Sequence, residues 1–216
     1  HDVSLQIPAG QTVAIVGPSG GGKTTLCNLI PRFYDVDSGS ILLDGKDIRD
    51  ITLASLRSNI GTVQQDVYMF SGTVRDNIAY GCPGAEKEDI IAAAKRAGAH
   101  EFIEELPEGY DTYVGERGVK LSGGQKQRIC IARALLKKPA VLILDDSTSA
   151  VDTATDAKIR AAFQKCIPGT TKIIIAQRVS SVQDADRIVV LDDGRINGVG
   201  THDELVANNE IYRDIY

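Results

Sequence analysis

Gly17-Pro18-Ser19-Gly20-Gly21-Gly22-Lys23-Thr24 is the stretch that decides the fold of this 216-residue sequence. It matches the pattern G-x-x-x-x-G-K-[ST] at every fixed position. The apolar run 12–16 before it is typical of a buried strand, and residues 23–33 after it place apolar side chains at helical spacing. Glycines let such a turn curl its N–H groups inward at phosphate oxygens, and the helix start adds positive potential. The sequence therefore predicts a phosphate-binding loop, residues 17–24.

The loop also supplies candidate ligands for a metal ion. We expect Lys23 to reach the β- and γ-phosphates and the Thr24 hydroxyl to bind Mg²⁺. Thr25, the next residue, is included among the predicted nucleotide-binding residues. A second metal ligand is expected from Asp145, which ends an apolar run at 140–144. Ligands gather at the carboxyl ends of parallel strands, so Asp145 is predicted to lie beside the loop.

The composition excludes several classes of protein. It contains 24 Lys and Arg against 29 Asp and Glu, which gives a net charge of −5, and 43% of its residues are hydrophobic. These values exclude collagen-like, mucin-like and wholly disordered chains. The mild acidity argues against a nucleic-acid partner, which needs a concentrated basic face. The four cysteines show no metal-binding spacing, and no apolar run approaches the roughly 18–20 residues that span a bilayer.

The order of predicted elements indicates an α/β fold. Strands are predicted at 3–7, 12–16, 40–43, 61–65, 141–144, 172–176 and 187–191, and helices at 23–33, 53–60, 86–106, 122–137, 155–166 and 202–216. This order predicts a mostly parallel sheet with flanking helices, a small antiparallel β region and an inserted helical subdomain. We assign residues 1–69 and 139–216 to the core and residues 70–138 to the inserted subdomain.

A second motif, Leu121-Ser122-Gly123-Gly124-Gln125, carries a family resemblance. This LSGGQ sequence resembles the signature motif of the nucleotide-binding domain of ATP-binding cassette (ABC) transporters, which few other P-loop proteins have. The order of motifs is similar over nearly the whole chain. Gln65 matches the Q-loop, Asp145 the Walker B motif, residues 149–152 the D-loop, and residues 115–118 the x-loop of the exporter branch. The resemblance implies a P-loop NTPase core that binds ATP and Mg²⁺.

In that family, two nucleotide-binding domains hold two ATP molecules between them, and each signature motif faces the ATP held by the other domain. The exposed N–H groups at the start of the signature helix suit such an anion. The resemblance thus implies a second nucleotide-binding domain as partner. It assigns nucleotide contacts to Ser122, Gly123, Gly124, Gln125 and Asp152. It assigns metal binding to Thr24, Gln65 and Asp145, and catalytic roles to Lys23, Gln65, Asp146 and Gln177.

Two residues depart from the family pattern at the positions closest to the cleaved phosphate. Asp146 stands where the family usually has Glu, so its carboxylate is drawn back by roughly 1 Å, an error that can cost about 100-fold in rate. Gln177 stands where the family has a switch His, and it can donate a hydrogen bond but cannot become a cation. We expect a site that binds ATP and hydrolyses it weakly, as in the degenerate subunit of a heterodimeric exporter.

The resemblance further implies a transmembrane domain and an adenine-stacking segment upstream of His1, with this domain at the cytoplasmic face of the membrane. Residues 67–71 are a candidate dock for the membrane half, with burial in the helical subdomain as the alternative. A homodimeric exporter, a soluble ABC ATPase of DNA repair or translation, and a regulatory nucleotide sensor remain alternatives.

Overall fold

The computed structural model describes residues 1–64, 66–115, 119–145, 153–177 and 179–215. The strands are β1 (Thr12–Val16), β2 (Leu42–Leu43), β3 (Lys46–Asp47), β4 (Ile60–Val63), β5 (Gly72–Thr73), β6 (Tyr113–Val114), β7 (Val141–Asp145), β8 (Thr171–Ile175), β9 (Arg187–Asp192) and β10 (Arg195–Gly200). The helices are α1 (Lys23–Leu29), α2 (Leu53–Ser58), α3 (Val74–Ala79), α4 (Lys87–Arg96), α5 (His100–Glu104), α6 (Gly123–Leu136), α7 (Thr153–Cys166), α8 (His202–Asn208) and α9 (Glu210–Ile215). Short 3₁₀ helices cover Ile48–Asp50, Gly109–Asp111 and Val179–Ser181.

Within the described ranges, the main sheet has the strand order β10-β9-β1-β8-β7-β4. Strand β1 runs parallel to β8 and β9, β7 runs parallel to β8, and β10 runs antiparallel to β9. Two further sheets, β2-β3 and β5-β6, are antiparallel pairs. The predicted α/β fold with a mostly parallel sheet and a small antiparallel β region is confirmed.

The chain divides into two compact units. Unit 1 comprises His1–Ile60, Ala140–Asp146 and Gly169–Tyr216, and unit 2 comprises Gly61–Pro139 and Ser147–Pro168. The division into a core and an inserted subdomain at the boundaries given above stays a prediction. None of the helices in the described part of the chain combines the length and the apolar character needed to cross a membrane.

Strand β1 separates two hydrophobic clusters of unit 1. Ile15 packs in one cluster, while Ala14 and Val16 pack in the other, because successive side chains of a strand point to opposite faces. Residues 13–16 are at most 1% exposed. Burial on both faces is typical of a central parallel strand, and it explains why the sequence 12–16 is a continuous apolar run rather than an alternating one.

Several predicted elements were wrong in extent or type. The predicted helix 23–33 ends at Leu29, and the predicted strand 40–43 covers only Leu42–Leu43. Residues 3–7 form no strand: Val3 and Ile7 pack against a core cluster, yet no strand among the described residues pairs with them. The predicted helix 86–106 is interrupted at Gly98, whose φ of +65° ends a helix at little cost. The predicted helix 202–216 is likewise divided at Asn209, whose side-chain oxygen accepts a hydrogen bond from the Tyr212 amide at 2.8 Å.

Asn77 is the polar centre of unit 2. It is 1% exposed, and its side-chain nitrogen donates to the carbonyl groups of Phe70 at 2.8 Å and Thr73 at 3.0 Å. Its side-chain oxygen accepts from the Phe70 amide at 2.8 Å and from Arg133 at 3.2 Å. One side chain thus supplies the hydrogen bonds that the loop before α3 cannot make within a regular element.

Asn77→Ala should lower the free energy of unfolding by about 2–3 kcal/mol, because it leaves several partly buried polar groups unsatisfied. The matched control is Asn208→Ala, which removes an exposed side chain that donates to the Glu204 carbonyl at 3.0 Å and should cost less than about 0.5 kcal/mol. Urea midpoints of the two variants provide the measurement. Equal midpoints would contradict the assigned role of Asn77.

Candidate functional site

The phosphate-binding loop lies where the sequence predicts it, between β1 and α1. Its first glycine, Gly17, has φ +145°, and a Cβ at this position would overlap the carbonyl oxygen of Leu191 at the end of β9. The loop backbone therefore lies against the neighbouring strand with no room for a side chain. This close approach is the physical reason for glycine at the first fixed position of the motif.

The Lys23 side chain folds back into the loop. It is 9% exposed, and its ammonium group donates to the carbonyl oxygens of Gly17 at 2.9 Å and Pro18 at 2.7 Å. The backbone thus holds a positive charge at the centre of the loop. A terminal phosphate is a stronger acceptor than these neutral carbonyls, since hydrogen bonds between charged partners are roughly twice as strong.

Several loop amides are available to a ligand. The Gly21 amide donates to the Pro18 carbonyl at 3.1 Å, which closes the turn. The amides of Gly20, Gly22 and Thr24 donate to no acceptor within the part of the chain that the structure describes. Free amides around a buried ammonium group form an anion site. The geometry therefore fits a polyphosphate.

Asp145 ends β7 beside this loop, as predicted. Asp145 is 7% exposed, and its carboxyl group accepts a hydrogen bond from the Thr24 hydroxyl. Burial raises the pKa of Asp145 above its ordinary value, while the Thr24 hydrogen bond and the charge of Lys23 oppose that rise.

Burial also raises the pKa of the neighbouring Cys27 thiol to about 12, and the Asp145 charge adds to this effect. Cys27 is therefore a neutral packing residue.

The oxygen donors of this site fit Mg²⁺. A hydroxyl and a carboxylate are hard ligands, and Mg²⁺ is usually bound through one or two such groups together with waters and substrate phosphates. Among the described residues, no group of three or more His, Cys, Asp or Glu side chains forms an all-protein metal cage. Thr24 and Asp145 therefore suit a metal that arrives with the nucleotide.

Gln177 lies at the same edge of the sheet. It is exposed and follows β8 after Ala176, whose amide donates to the Ile15 carbonyl at 3.3 Å. The sheet register places Ile15 and Asp145 level with Ile175. The structure thus brings the loop, Asp145 and Gln177 to one row of strand ends. Gln65, Asp146 and Asp152 lie outside the described residues, as do 116–118 of the predicted x-loop.

The signature motif forms the start of α6 in unit 2. Ser122 is the N-cap of this helix: its hydroxyl accepts from the Gln125 amide at 3.2 Å, and the Gln125 side chain accepts from the Ser122 amide at 2.9 Å. This capping box leaves Ser122 and Gly123 exposed to solvent. Arg128 supports the helix start by donating to the carbonyl oxygens of Gly124 at 3.3 Å and Gly98 at 2.9 Å.

The turn between β9 and β10 contacts the phosphate-binding loop, and the sequence did not predict this contact. The Asp193-Gly194 pair predicts a hairpin turn, but nothing in its spacing shows that the turn packs against the loop. In the structure the Gly194 amide donates to the Gly21 carbonyl at 3.1 Å. Strand order decides this contact, because β9 lies next to β1 in the sheet although the two strands are far apart in the chain.

The comparisons identify the class of protein. The model of the family described as ABC transporter matches residues 1–149, so the chain belongs to the ABC transporter family. The ATP-binding domains of this family are ATPases.

Individual relatives agree with this assignment. The chain is 56% identical over 216 residues to the putative multidrug export ATP-binding/permease protein YgaD of Bacillus subtilis and covers 37% of that protein. It is 54% identical over 216 residues to the ATP-dependent lipid A-core flippase of Syntrophus aciditrophicus, of which it covers 36%. Both alignments cover 100% of this chain, which thus spans little more than a third of the length of these relatives.

A solved structure resembles the chain closely. The structure of a bacterial Atm1-family ABC exporter with ATP bound matches with a TM-score of 0.95 at 47% identity, covering 100% of this chain and 38% of the other. The chain therefore has the fold of an exporter nucleotide-binding domain.

Lys23→Met should raise the dissociation constant for Mg·ATP by roughly 10- to 150-fold, since a hydrogen bond to a charged group contributes about 1.5–3 kcal/mol. Lys172→Met is the matched control, because Lys172 is a second buried lysine of unit 1, 4% exposed and bonded to the Thr170 carbonyl at 2.8 Å. Fluorescence titration with ATP should show normal affinity in the control. Similar losses in both variants would refute the phosphate role of Lys23.

Proposed function

We propose that this chain is the ATP-binding motor domain of an ABC exporter. It binds Mg·ATP at its own loop, and its signature helix completes the ATP site of a second nucleotide-binding domain. Closure of the two domains on ATP moves attached membrane helices, and hydrolysis resets them. One observation carries this proposal. The chain belongs to the ABC transporter family, and it has both an anion-binding loop with a buried ammonium group and a signature helix whose first residues are exposed.

The residues around the loop have distinct roles in binding. Lys23 transfers its hydrogen bonds from two backbone carbonyls to the phosphates, and the free loop amides orient the phosphate chain. Thr24, Asp145 and Gln65 would hold Mg²⁺, which when bound neutralises the charge that develops on the phosphate oxygens. Because the Thr24 hydroxyl already donates to Asp145, these two ligands lie together before the nucleotide arrives.

Hydrolysis at the chain's own site is proposed to be weak. Asp146 has the shorter acidic side chain at the position where a carboxylate must orient the attacking water, and Gln177 lacks the charge of the usual His. Gln177 is exposed at the strand ends, so its amide remains able to donate to a γ-phosphate. The residues proposed to bind ATP thus match the family pattern, whereas the two residues proposed to lie nearest the cleaved phosphate, Asp146 and Gln177, depart from it.

This pattern favours a heterodimer with a competent partner. In such an assembly the loop, Asp145, Asp146 and Gln177 form the weak site of this chain. Residues 122–125, together with Asp152, contribute to the site of the partner, which has Glu and His at the two altered positions. A homodimer that tolerates Asp and Gln is the competing arrangement, and the experiments below separate the two.

The transmembrane domain of the same full-length chain is the second proposed partner, and the domain would then lie at the cytoplasmic face of the membrane. An aromatic patch in unit 2, consisting of Tyr68, Phe70 and Tyr80, is the proposed contact. Tyr68 is 68% and Tyr80 is 61% exposed, and the rings of Phe70 and Tyr80 stack at 4.0 Å. Arg133 lies 5.1 Å from the Phe70 ring centre and holds the patch in place.

The isolated domain should bind Mg·ATP and hydrolyse it very slowly. The double variant Asp146→Glu/Gln177→His should raise the turnover number by about 100-fold, because restoring the position of a catalytic group by roughly 1 Å has an effect of that size. Its dissociation constant for ATP should stay within threefold of the parent value. Phosphate release and equilibrium binding give the two quantities. A parent domain that already turns over as fast as the double variant would eliminate the degenerate-site proposal.

Ser122→Ala should damage turnover of the assembled transporter more than Asp146→Asn does, because Ser122 serves the working site of the partner. Thr201→Ala is the matched control for stability, since Thr201 caps α8 with the same reciprocal pair of hydrogen bonds. Both cap variants should lose about 1 kcal/mol of stability. Only Ser122→Ala should lose ATPase activity. In a homodimer, Asp146→Asn would be at least as damaging as Ser122→Ala.

A further inference from the structure

The turn that joins β9 to β10 packs against the back of the phosphate-binding loop. Two loop residues, Gly21 and Gly22, lie against this turn and the end of β9. The Gly194 amide donates to the Gly21 carbonyl at 3.1 Å. A Cβ on Gly21 would lie 3.2 Å from the Leu191 carbonyl oxygen, and a Cβ on Gly22 would lie 3.6 Å from the Gly194 Cα. The loop and the turn are therefore in contact along their backbones.

The hydrogen bond from Gly194 determines the direction in which the Gly22 amide points. The C=O of Gly21 and the N–H of Gly22 belong to one planar peptide group and point in opposite directions. A donor that holds the Gly21 carbonyl toward the turn therefore aims the Gly22 amide away from the turn. The Gly22 amide is one of the loop amides that donates to no acceptor among the described residues. The turn thus fixes the direction of a phosphate donor.

We propose that Gly194 is a positioning residue for nucleotide binding, acting through the peptide group between Gly21 and Gly22. This inference rests on the proposed function, since it concerns the same phosphate site. In this role Gly194 acts through the loop backbone and not by contact with the nucleotide. Its φ of +72° follows the φ of +45° at Asp193, and this left-handed pair directs the Gly194 amide at the loop while joining two antiparallel strands.

The chain contains its own control for this turn. Asp44-Gly45 joins β2 to β3 with nearly the same backbone, φ +49° and +78°. A Cβ on Gly45 would have no neighbour within 4 Å, so this turn contacts nothing at that point. A substitution at Gly45 therefore reproduces the cost of disturbing an Asp-Gly hairpin without disturbing the loop.

The experiment compares Gly194→Pro with Gly45→Pro. Proline removes the amide donor and excludes a positive φ in both turns. Gly194→Pro should raise the dissociation constants for ATP and ADP by about five- to tenfold, the loss expected for one oriented hydrogen bond. Gly45→Pro should change them less than twofold. Gly194→Asn keeps the amide and tolerates the left-handed conformation, so it should bind ATP within threefold of the parent.

A second measurement does not depend on nucleotide. In the ligand-free protein, exchange of the Gly21 amide hydrogen, which is bonded to Pro18, should be at least tenfold faster in Gly194→Pro than in Gly45→Pro. If either proline variant fails to fold, Gly194→Ala and Gly45→Ala replace them: alanine keeps the amide but disfavours the positive φ of both turns, so the same differences are expected with smaller size. If the Gly194 variant and its Gly45 counterpart bind ATP equally well and exchange the Gly21 amide hydrogen at the same rate, the positioning role of Gly194 is overturned. A parent that binds no ATP would refute the proposed function, and amide exchange would still decide whether the turn holds the loop.

Discussion

The close backbone contact between the phosphate-binding loop and the end of β9 is the constraint on which the site depends. The loop can present free amides on one side only if its carbonyl groups have hydrogen-bond donors, and its glycine Cα atoms have space, on the other side. Gly17 lies directly against Leu191, and the Gly21 carbonyl is held by Gly194. This arrangement exists because β9 is adjacent to β1 in a parallel sheet. The sheet therefore shapes the loop from behind, and the nucleotide-binding face of the loop is left open for phosphate.

The sequence predicted those parts of the site whose cause is local. The loop follows from its glycine and lysine spacing, Ser122 follows from the preference of a helix start for a hydroxyl, and Asp145 follows from an apolar run that ends in an acid. The strand predicted at residues 3–7 was wrong, because a strand needs a neighbouring strand to pair with and the alternation of apolar and polar residues does not provide one. The contact of Gly194 with the loop could not be predicted, since it results from a strand order that brings residues 21 and 194 together.

The two nucleotide-binding elements differ in how far they are complete within one chain. The loop has a buried ammonium group and free amides in unit 1, with the Asp145 carboxyl group beside it, so this one unit holds all the described groups that fit a polyphosphate. The signature helix begins at exposed residues, Ser122 and Gly123, and its Ser122 and Gln125 side chains are already bonded to each other's amides. Such an exposed helix start adds attraction to a phosphate that another surface already holds. This difference favours the proposal that the signature motif acts on the nucleotide of a partner domain.

Binding and cleavage are separable in such a site because they depend on different contacts. Interactions made equally with bound ATP and with the transition state set affinity, whereas rate depends on groups that act only as the bond breaks. Lys23, the loop amides and Asp145 belong to the first set, and they are retained. Asp146 and Gln177 belong to the second set, and both differ from the family pattern. In the proposed heterodimer, this separation would let the chain bind ATP at its own site while most hydrolysis takes place at the site of the partner.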